Sequence, residues 1–336
     1  MRYREWTATI CVLMLALATS RIACAEVGEV HVAKQYGIGY LPIMVMQDKQ
    51  LIEKHAKALG LGDIKVTWNT LTDGTAMNDA ILSGNLDFAS GGIGAFVVLW
   101  GRTVDTMKVK SVGALDSMPA YLNTINPDIK SIKDFKATDR IAVPGVKVSP
   151  QAITLQRAAA QAWGKENYGK LDPLTVNMSH PMGMQAMLSG AGEITSQFTS
   201  PPFQYEELKH PGVRTLLSTY DVWGGPQTFI CAWTTTKFKE ANPKTYSAFV
   251  AALKEAIDWI NHDKPAAAEL YVRLTRGKDT AADIQKILDD PLVEYTLTPK
   301  NIVKFIEFKN EIGTMKVKPA SWKDLFFDNV HDLAGS

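Results

Sequence analysis

Short runs in which apolar and polar residues alternate one for one recur through the first two-thirds of the chain, and they predict β-strands. Val30 and Val32 open the first run and Ile64, Val66 and Trp68 the next; Leu86 to Ser90, Arg140 to Val143, Leu174 to Asn177 and Val213 to Ser218 follow in the same style. Helical stretches such as Ala152 to Trp163 lie between them. This alternation predicts an α/β chain with mixed, mainly parallel sheets flanked by helices. From Tyr246 the apolar period lengthens to three and four residues. Tyr246, Phe249, Val250, Leu253, Ile257 and Ile260 form one stripe, Ile302, Phe305, Ile306 and Ile312 a second, and Trp322, Leu325, Phe326 and Leu333 a third. These stripes predict a helical C-terminal region packed on a sheet built earlier, and they read as core.

One stretch occurs twice. Ala80 to Ser90 (AILSGNLDFAS) aligns without gaps with Ala186 to Ser196 (AMLSGAGEITS). Each copy reads as a helix end, a Gly suited to the left-handed position that stops a helix, and an acid leading into a strand that ends in Ser. Two copies of one helix–strand unit predict two similar halves, one copy in each.

The first 25 residues stand apart from this pattern. Arg2 and Arg4 precede an uncharged apolar run from Thr7 to Ala18, and Ala23-Cys24-Ala25 supplies small residues before Glu26. A basic start, a short apolar stretch and an A-x-A step match a cleaved secretory signal, with the mature chain beginning at Glu26. The run falls short of the roughly 20 residues that span a bilayer. Retention as an anchor is the alternative, opposed by Arg21; the same residue stands where lipoprotein processing at Cys24 would want an aliphatic side chain.

Composition adds little until the leader is set aside. The 336 residues are 46% hydrophobic and 21% charged, which suits two folded domains and excludes disorder. Lys and Arg number 36 against 35 Asp and Glu, so no basic excess is present to neutralise a nucleic-acid backbone. Removing the leader takes away Arg2, Arg4, Arg21 and Glu5, leaving 33 bases against 34 acids. It also removes Cys11 and Cys24. Cys231 is then the one thiol, so no intramolecular disulfide can form, and its place in the apolar run Thr228 to Thr234 predicts a buried, inert side chain.

Several segments together carry a family resemblance. Each copy of the repeat is similar to the A-L-x-x-G-x-[ILV]-D element of type 2 periplasmic binding proteins. Tyr36-Gly37-Ile38-Gly39-Tyr40-Leu41-Pro42, Asp87 to Gly92, Ile141-Ala142-Val143-Pro144-Gly145 and Met178 to Gly183 narrow it to the nitrate, sulfonate and taurine branch, the solute-binding components of ABC importers. The resemblance implies two α/β lobes joined by two crossover strands near Leu115 to Tyr121 and Tyr220 to Gln227, with ligand held between them. Lobe I would combine residues 26–115 with 228–336, and lobe II would be residues 116–227. It further implies a periplasmic monomer that binds a small molecule, closes about a hinge, and delivers its ligand to a membrane permease and its ATPase.

In open α/β sheets ligands sit beyond the carboxyl ends of the strands. That rule selects six loops here: Tyr36 to Leu41, Thr72 to Thr75 and Ser90 to Gly94 from lobe I, and Lys147 to Gln151, Ser179 to Gly183 and Thr199 to Phe203 from lobe II. The candidate ligand residues are Tyr36, Tyr40, Thr72, Asp73, Ser90, Gly91, Gly92, Lys147, Ser149, Gln151, His180, Thr199 and Phe203. Ser149-Pro150 reads as a helix cap followed by Pro in the first turn, and Ser90-Gly91-Gly92 lets a second helix N-terminus approach from the other side. Two facing N-termini make an anion site that needs no formal charge.

None of the six loops contains an Arg, and Lys147 is their only Lys, so a bidentate Arg clamp is absent from them. A small sulfonate, nitrate or related organic ligand is expected; a neutral, aromatic or cationic compound with Asp73 as counter-charge stays open, as does a sensing rather than importing role. No catalytic constellation is present. The six His show no metal-binding spacing, no G-x-S-x-G occurs, and Gly37-Ile38-Gly39 has Pro42 where a dinucleotide fingerprint has its third Gly. No enzyme activity, metal or cofactor is therefore expected. The resemblance admits one enzymatic alternative, synthesis of a pyrimidine precursor, and the single Cys left after export argues against it.

Overall fold

The computed structural model describes residues 26–190 and 192–336. The leader expected over residues 1–25 and position 191 of the second repeat lie outside the described residues. Twelve strands are present in what is described: β1 (Glu29–Lys34), β2 (Lys65–Thr70), β3 (Phe88–Gly92), β4 (Val109–Ala114), β5 (Asp116–Ser117), β6 (Tyr121–Thr124), β7 (Arg140–Val143), β8 (Thr175–Asn177), β9 (Ile194–Thr199), β10 (Arg214–Ser218), β11 (Ile230–Thr235) and β12 (Glu294–Tyr295).

They form two five-stranded sheets with one plan. The first has the order β2-β1-β3-β11-β4, and the second, written from its other edge, β8-β7-β9-β6-β10. In each, three parallel strands are followed by an antiparallel one that comes from beyond the other sheet: β11 pairs antiparallel with β3 and β4, and β6 with β9 and β10. Each sheet thus divides evenly between parallel and antiparallel pairings.

The repeat occupies matching places in this plan. Helix Gly74–Leu82 leads into β3 and helix His180–Ser189 into β9, each the third parallel strand of its sheet. Gly84 and Gly190 both hold left-handed backbone, at φ 75° and 63°. Asp87, the acid of the first copy, accepts the His31 N–H of β1 at 2.8 Å and so ties the new strand to its neighbour.

The C-terminal region covers the first sheet. Phe88 of β3 stacks on Phe249 of helix Pro243–His262 with centroids 3.8 Å apart and planes within 5°. On the opposite face Trp233 of β11 meets Phe96, which in turn meets Phe326. Cys231 is fully buried, and burial pushes its thiol pKa up, as an inert core side chain requires.

One expectation fails at the tail. The stripe of Trp322, Leu325, Phe326 and Leu333 predicts a helix, but only short 3-10 turns form at Trp322–Leu325 and Asp328–Val330. Between them the chain runs beside β4, with the Phe327 N–H donating to the Ser111 carbonyl at 2.9 Å. A free sheet edge competes for the backbone hydrogen bonds a helix would use, and here it wins.

The segments expected to cross between the halves lie side by side. Phe229 N–H donates to the Asp116 carbonyl at 3.2 Å, Leu115 N–H to the Ile230 carbonyl at 2.9 Å, and Ser117 Oγ bonds both the Gln227 carbonyl and Tyr220 Oη at 2.8 Å. β12 adds a third strand by pairing with β5.

Candidate functional site

Between the sheets a small buried cavity is walled by Gln35, Tyr40, Gly74, Gly92, Ala95 and Phe229–Ile230 on one side and Pro144, Ser149–Gln151 and His180 on the other. Four of these positions are helix starts. Helices Gly74–Leu82, Ile93–Thr103, Pro150–Trp163 and His180–Ser189 all present N-terminal residues to it. The Asp73 carboxylate caps the first of these helices, whereas the other three N-termini carry no acid in their first turns and turn the positive ends of their peptide dipoles toward the cavity, which favours negative charge without holding a cation.

The halves meet tightly here. A Cβ placed on Gly92 would lie 2.5 Å from Pro150 Cδ, and one on Gly94 would lie 2.5 Å from the Val148 carbonyl oxygen. Asn177 Nδ2 donates across the gap to Asp73 Oδ2 at 3.2 Å, and Ile38 N–H donates to the Pro201 carbonyl at 3.1 Å. The enclosed space is about 10 Å³. That is at the lower limit for one water molecule, so an organic solute enters only when the halves separate.

Among the expected residues, Tyr40, Gly92, Ser149, Gln151 and His180 line the cavity. Ser149 caps its helix by accepting the Ala152 N–H at 3.1 Å. Gln151 is 1% exposed, and neither its Nε2 nor its Oε1 has a partner among the described residues; Gln35 Nε2 is likewise unpaired. Buried polar atoms without partners cost about 1–3 kcal/mol each, so these two amides are held ready for something that enters.

His180 is buried, with Nδ1 2.8 Å from Thr199 Oγ1 and Nε2 3.2 Å from Ser200 Oγ, and it stacks on Phe203. Burial lowers its pKa to about 3, so the ring is neutral near pH 7. Thr199 and Phe203 thus position His180 and do not themselves reach the cavity.

Other expected residues sit elsewhere for clear reasons. Ser90 donates to the Ala33 carbonyl at 2.5 Å, stitching β3 to β1, and Gly91 makes room for the Trp233 ring. Asp73 caps helix Gly74–Leu82, accepting the Thr75 and Ala76 N–H groups at 2.8 and 3.0 Å and the Thr72 hydroxyl at 3.1 Å. Burial pushes its carboxyl up, but those bonds and Asn177 together outweigh it and hold the pKa below its usual value. Asp73 is thus a cap and an inter-half tie, and it does not line the cavity. Tyr36 is 41% exposed at the rim, and Lys147 points into a separate outer groove.

The loop rule missed Gln35, Ala95, Pro144, Phe229 and Ile230. Gln35 directly follows β1, so starting the loop one residue earlier finds it. Phe229 and Ile230 enter at the beginning of an antiparallel strand, where a rule about the carboxyl ends of parallel strands gives no signal.

No family model matches the chain, and no curated protein sequence matches it. Solved structures do. The alkanesulfonate-binding protein SsuA from Xanthomonas axonopodis pv. citri, bound to MOPS, is 14% identical over 87% of this chain and 96% of its own, with a TM-score of 0.67. The periplasmic nitrate-binding protein NrtA from Synechocystis PCC 6803 is 14% identical over 88% and 83%, with a TM-score of 0.67. A Candida albicans gene product described as exhibiting the generic periplasmic binding protein structural fold is 14% identical over 84% and 89%, with a TM-score of 0.62. Identity this low establishes a likeness of architecture, and on that ground the chain has the periplasmic binding protein fold.

Proposed function

We propose that the protein is the solute-binding component of an ABC importer, capturing a small sulfonate, nitrate or related organic anion between its halves and passing it to a membrane permease and ATPase. The observation that carries this reading is the convergence of four helix N-termini on a buried cavity whose Gln151 amide has no partner among the described residues. Alkanesulfonate and nitrate are what two of the similar structures bind, by name, which agrees with the sign of the potential. Residues 26–115 with 228–336 form one lobe in this reading and residues 116–227 the other. The paired crossovers around Asp116 and Phe229 act as the hinge, and bound solute stabilises the closed state. The protein acts as a monomer and binds without catalysing. Its thiol is buried, and its cavity His is neutral with both ring nitrogens engaged.

Export with cleavage before Glu26 belongs to the same reading. Glu26, the first described residue, is held by the fold: its carboxylate accepts the Lys244 and Thr245 N–H groups at 2.9 and 2.7 Å and so caps helix Pro243–His262. Mass spectrometry of protein from the periplasmic fraction should find Glu26 at the N-terminus.

A thermal-shift panel of sulfonates, nitrate, carboxylates, amines and aromatic acids tests the ligand class. At least one small anion should raise the melting temperature by mass action. Silence across the panel overturns the solute-binding reading, and a response to amines alone overturns its anionic form.

A further inference from the structure

Beside the cavity, along the same junction of the two halves, runs a larger groove of about 470 Å³, within the range of small-molecule sites. Four cations line it and one acid does. Arg102, Lys309 and Lys316 come from the side of the first sheet, and Lys147 and Asp172 from the side of the second. None of the four cationic side chains has a hydrogen-bond or ion-pair partner among the described residues. Asp172 is engaged by Gln156, whose Nε2 donates to its two oxygens at 3.0 and 2.9 Å.

Lys309 is the decisive member. It is only 6% exposed, yet its ammonium has no partner among the described residues. Burial lowers its pKa and the neighbouring Arg102 charge lowers it further, while Asp172 opposes them. Lysine on a purely structural surface swings into water at almost no cost. The Lys309 stem is buried here, whereas its ammonium opens on the groove, where it and three more cations meet a single acid, Asp172.

We propose that this groove is a second site, distinct from the cavity, that binds a compact organic anion carrying two or more negative charges, such as a di- or tricarboxylate or a phosphate ester, and thereby holds the two halves together. Arg102, Lys309 and Lys316 on one side face Lys147 and Asp172 on the other, so four positive charges and one negative share the groove, an excess of three. A multivalent anion offsets that excess and bridges the halves, so the groove couples anion availability to closure. A single negative charge leaves most of the excess in place, so monovalent anions bind more weakly.

The inference does not rest on the importer reading and is tested separately. Isothermal titration of the chain from Glu26 with pyrophosphate and with citrate, at low ionic strength, is compared with acetate. Both multivalent probes should bind at least tenfold more tightly than acetate, and Lys147→Gln and Lys309→Met should each weaken them at least tenfold. Lys147 is a surface residue, so its variant tests the groove even if Lys309→Met folds poorly. Absence of binding by both multivalent probes overturns the proposal, and so does binding that Lys147→Gln leaves unchanged. Melting temperature responds to binding at either site, so a shift in the solute panel that Lys147→Gln abolishes belongs to the groove and one that Gln151→Leu abolishes belongs to the cavity.

Discussion

Gly92 and Pro150 touch across the junction of the two halves so closely that a single added methyl on Gly92 would overlap the proline ring, 2.5 Å from Cδ and 2.7 Å from Cγ. Gly92 sits at φ −61° and ψ 140°, a conformation any residue adopts. The obstacle to Ala there is therefore Pro150 alone. Gly92→Ala should fold normally, with its solute-free melting temperature nearly unchanged. Closure should suffer: affinity for the cavity solute should fall about tenfold or more, worth about 1.4 kcal/mol. Calorimetric titration of the variant measures this, and undiminished affinity would show that closure does not need this contact.

Gln151 separates stability from binding. Its carboxamide is buried with both polar atoms unpaired when the halves are together, so Gln151→Leu breaks no hydrogen bond and should leave the solute-free protein at least as stable as the wild type. The same change removes a ligand contact and should cost at least tenfold in solute affinity. Urea unfolding and titration of one variant give both signs. A destabilised variant with full affinity contradicts the assignment.

Two buried groups pull the pH dependence of stability in opposite directions. His180 has its pKa lowered by burial to about 3 from 6.5. Between those values the unfolded chain takes up a proton the folded one refuses, so stability falls as pH drops from 6.5. Glu207 has its pKa raised by burial to about 8 from 4.5, with Asn123 Nδ2 donating to it at 2.8 Å in partial opposition. Here the folded protein keeps a proton the unfolded chain releases, so stability falls as pH rises from 4.5 to 8. Glu207→Gln should gain on the wild type progressively from pH 5 to pH 8, and His180→Gln should flatten the acid limb below 6.5. Denaturant unfolding at pH 5, 7 and 8 checks both slopes.

Gly84 and Gly190 offer a symmetrical test. Both hold left-handed backbone, and neither has any atom within 4 Å of where a Cβ would sit. Only backbone strain is at stake. Gly84→Ala and Gly190→Ala should each destabilise by about 1–2 kcal/mol, and the double variant by nearly the sum, since distant sites add. A strongly unequal pair would mean that the two copies are not equivalent in the fold.

These two glycines also show why so much of the architecture was legible in the sequence. Helix stop, acid and strand are local signals, so the repeat exposed the shared third-strand position without knowledge of any long-range contact. Strands with plain alternation, such as β1 and β2, were legible for the same reason. The tail was not: Trp322 and Phe326 keep a helical spacing, but the edge of β4 decides their backbone, and that edge is more than 200 residues away in sequence. The site was half legible. Loops after parallel strands gave Tyr40, Gly92, Ser149, Gln151 and His180, whereas Phe229 enters on an antiparallel strand and Lys309 comes from a helix that no loop rule visits. Ser90 and Asp73 misled because a hydroxyl or carboxylate near a cleft satisfies its own backbone first when one is within reach.

The placement of β11 fixes the order in which the molecule can be completed. All five strands of the second sheet lie between Tyr121 and Ser218, whereas the first sheet has β3 and β4 separated until Ile230–Thr235 arrives to pair with both. The half that begins the chain is the half that finishes last. Contacts of such long sequence separation fold slowly, so the first sheet stays open until more than two-thirds of the chain has been made, by which point every strand of the second is already available to pair.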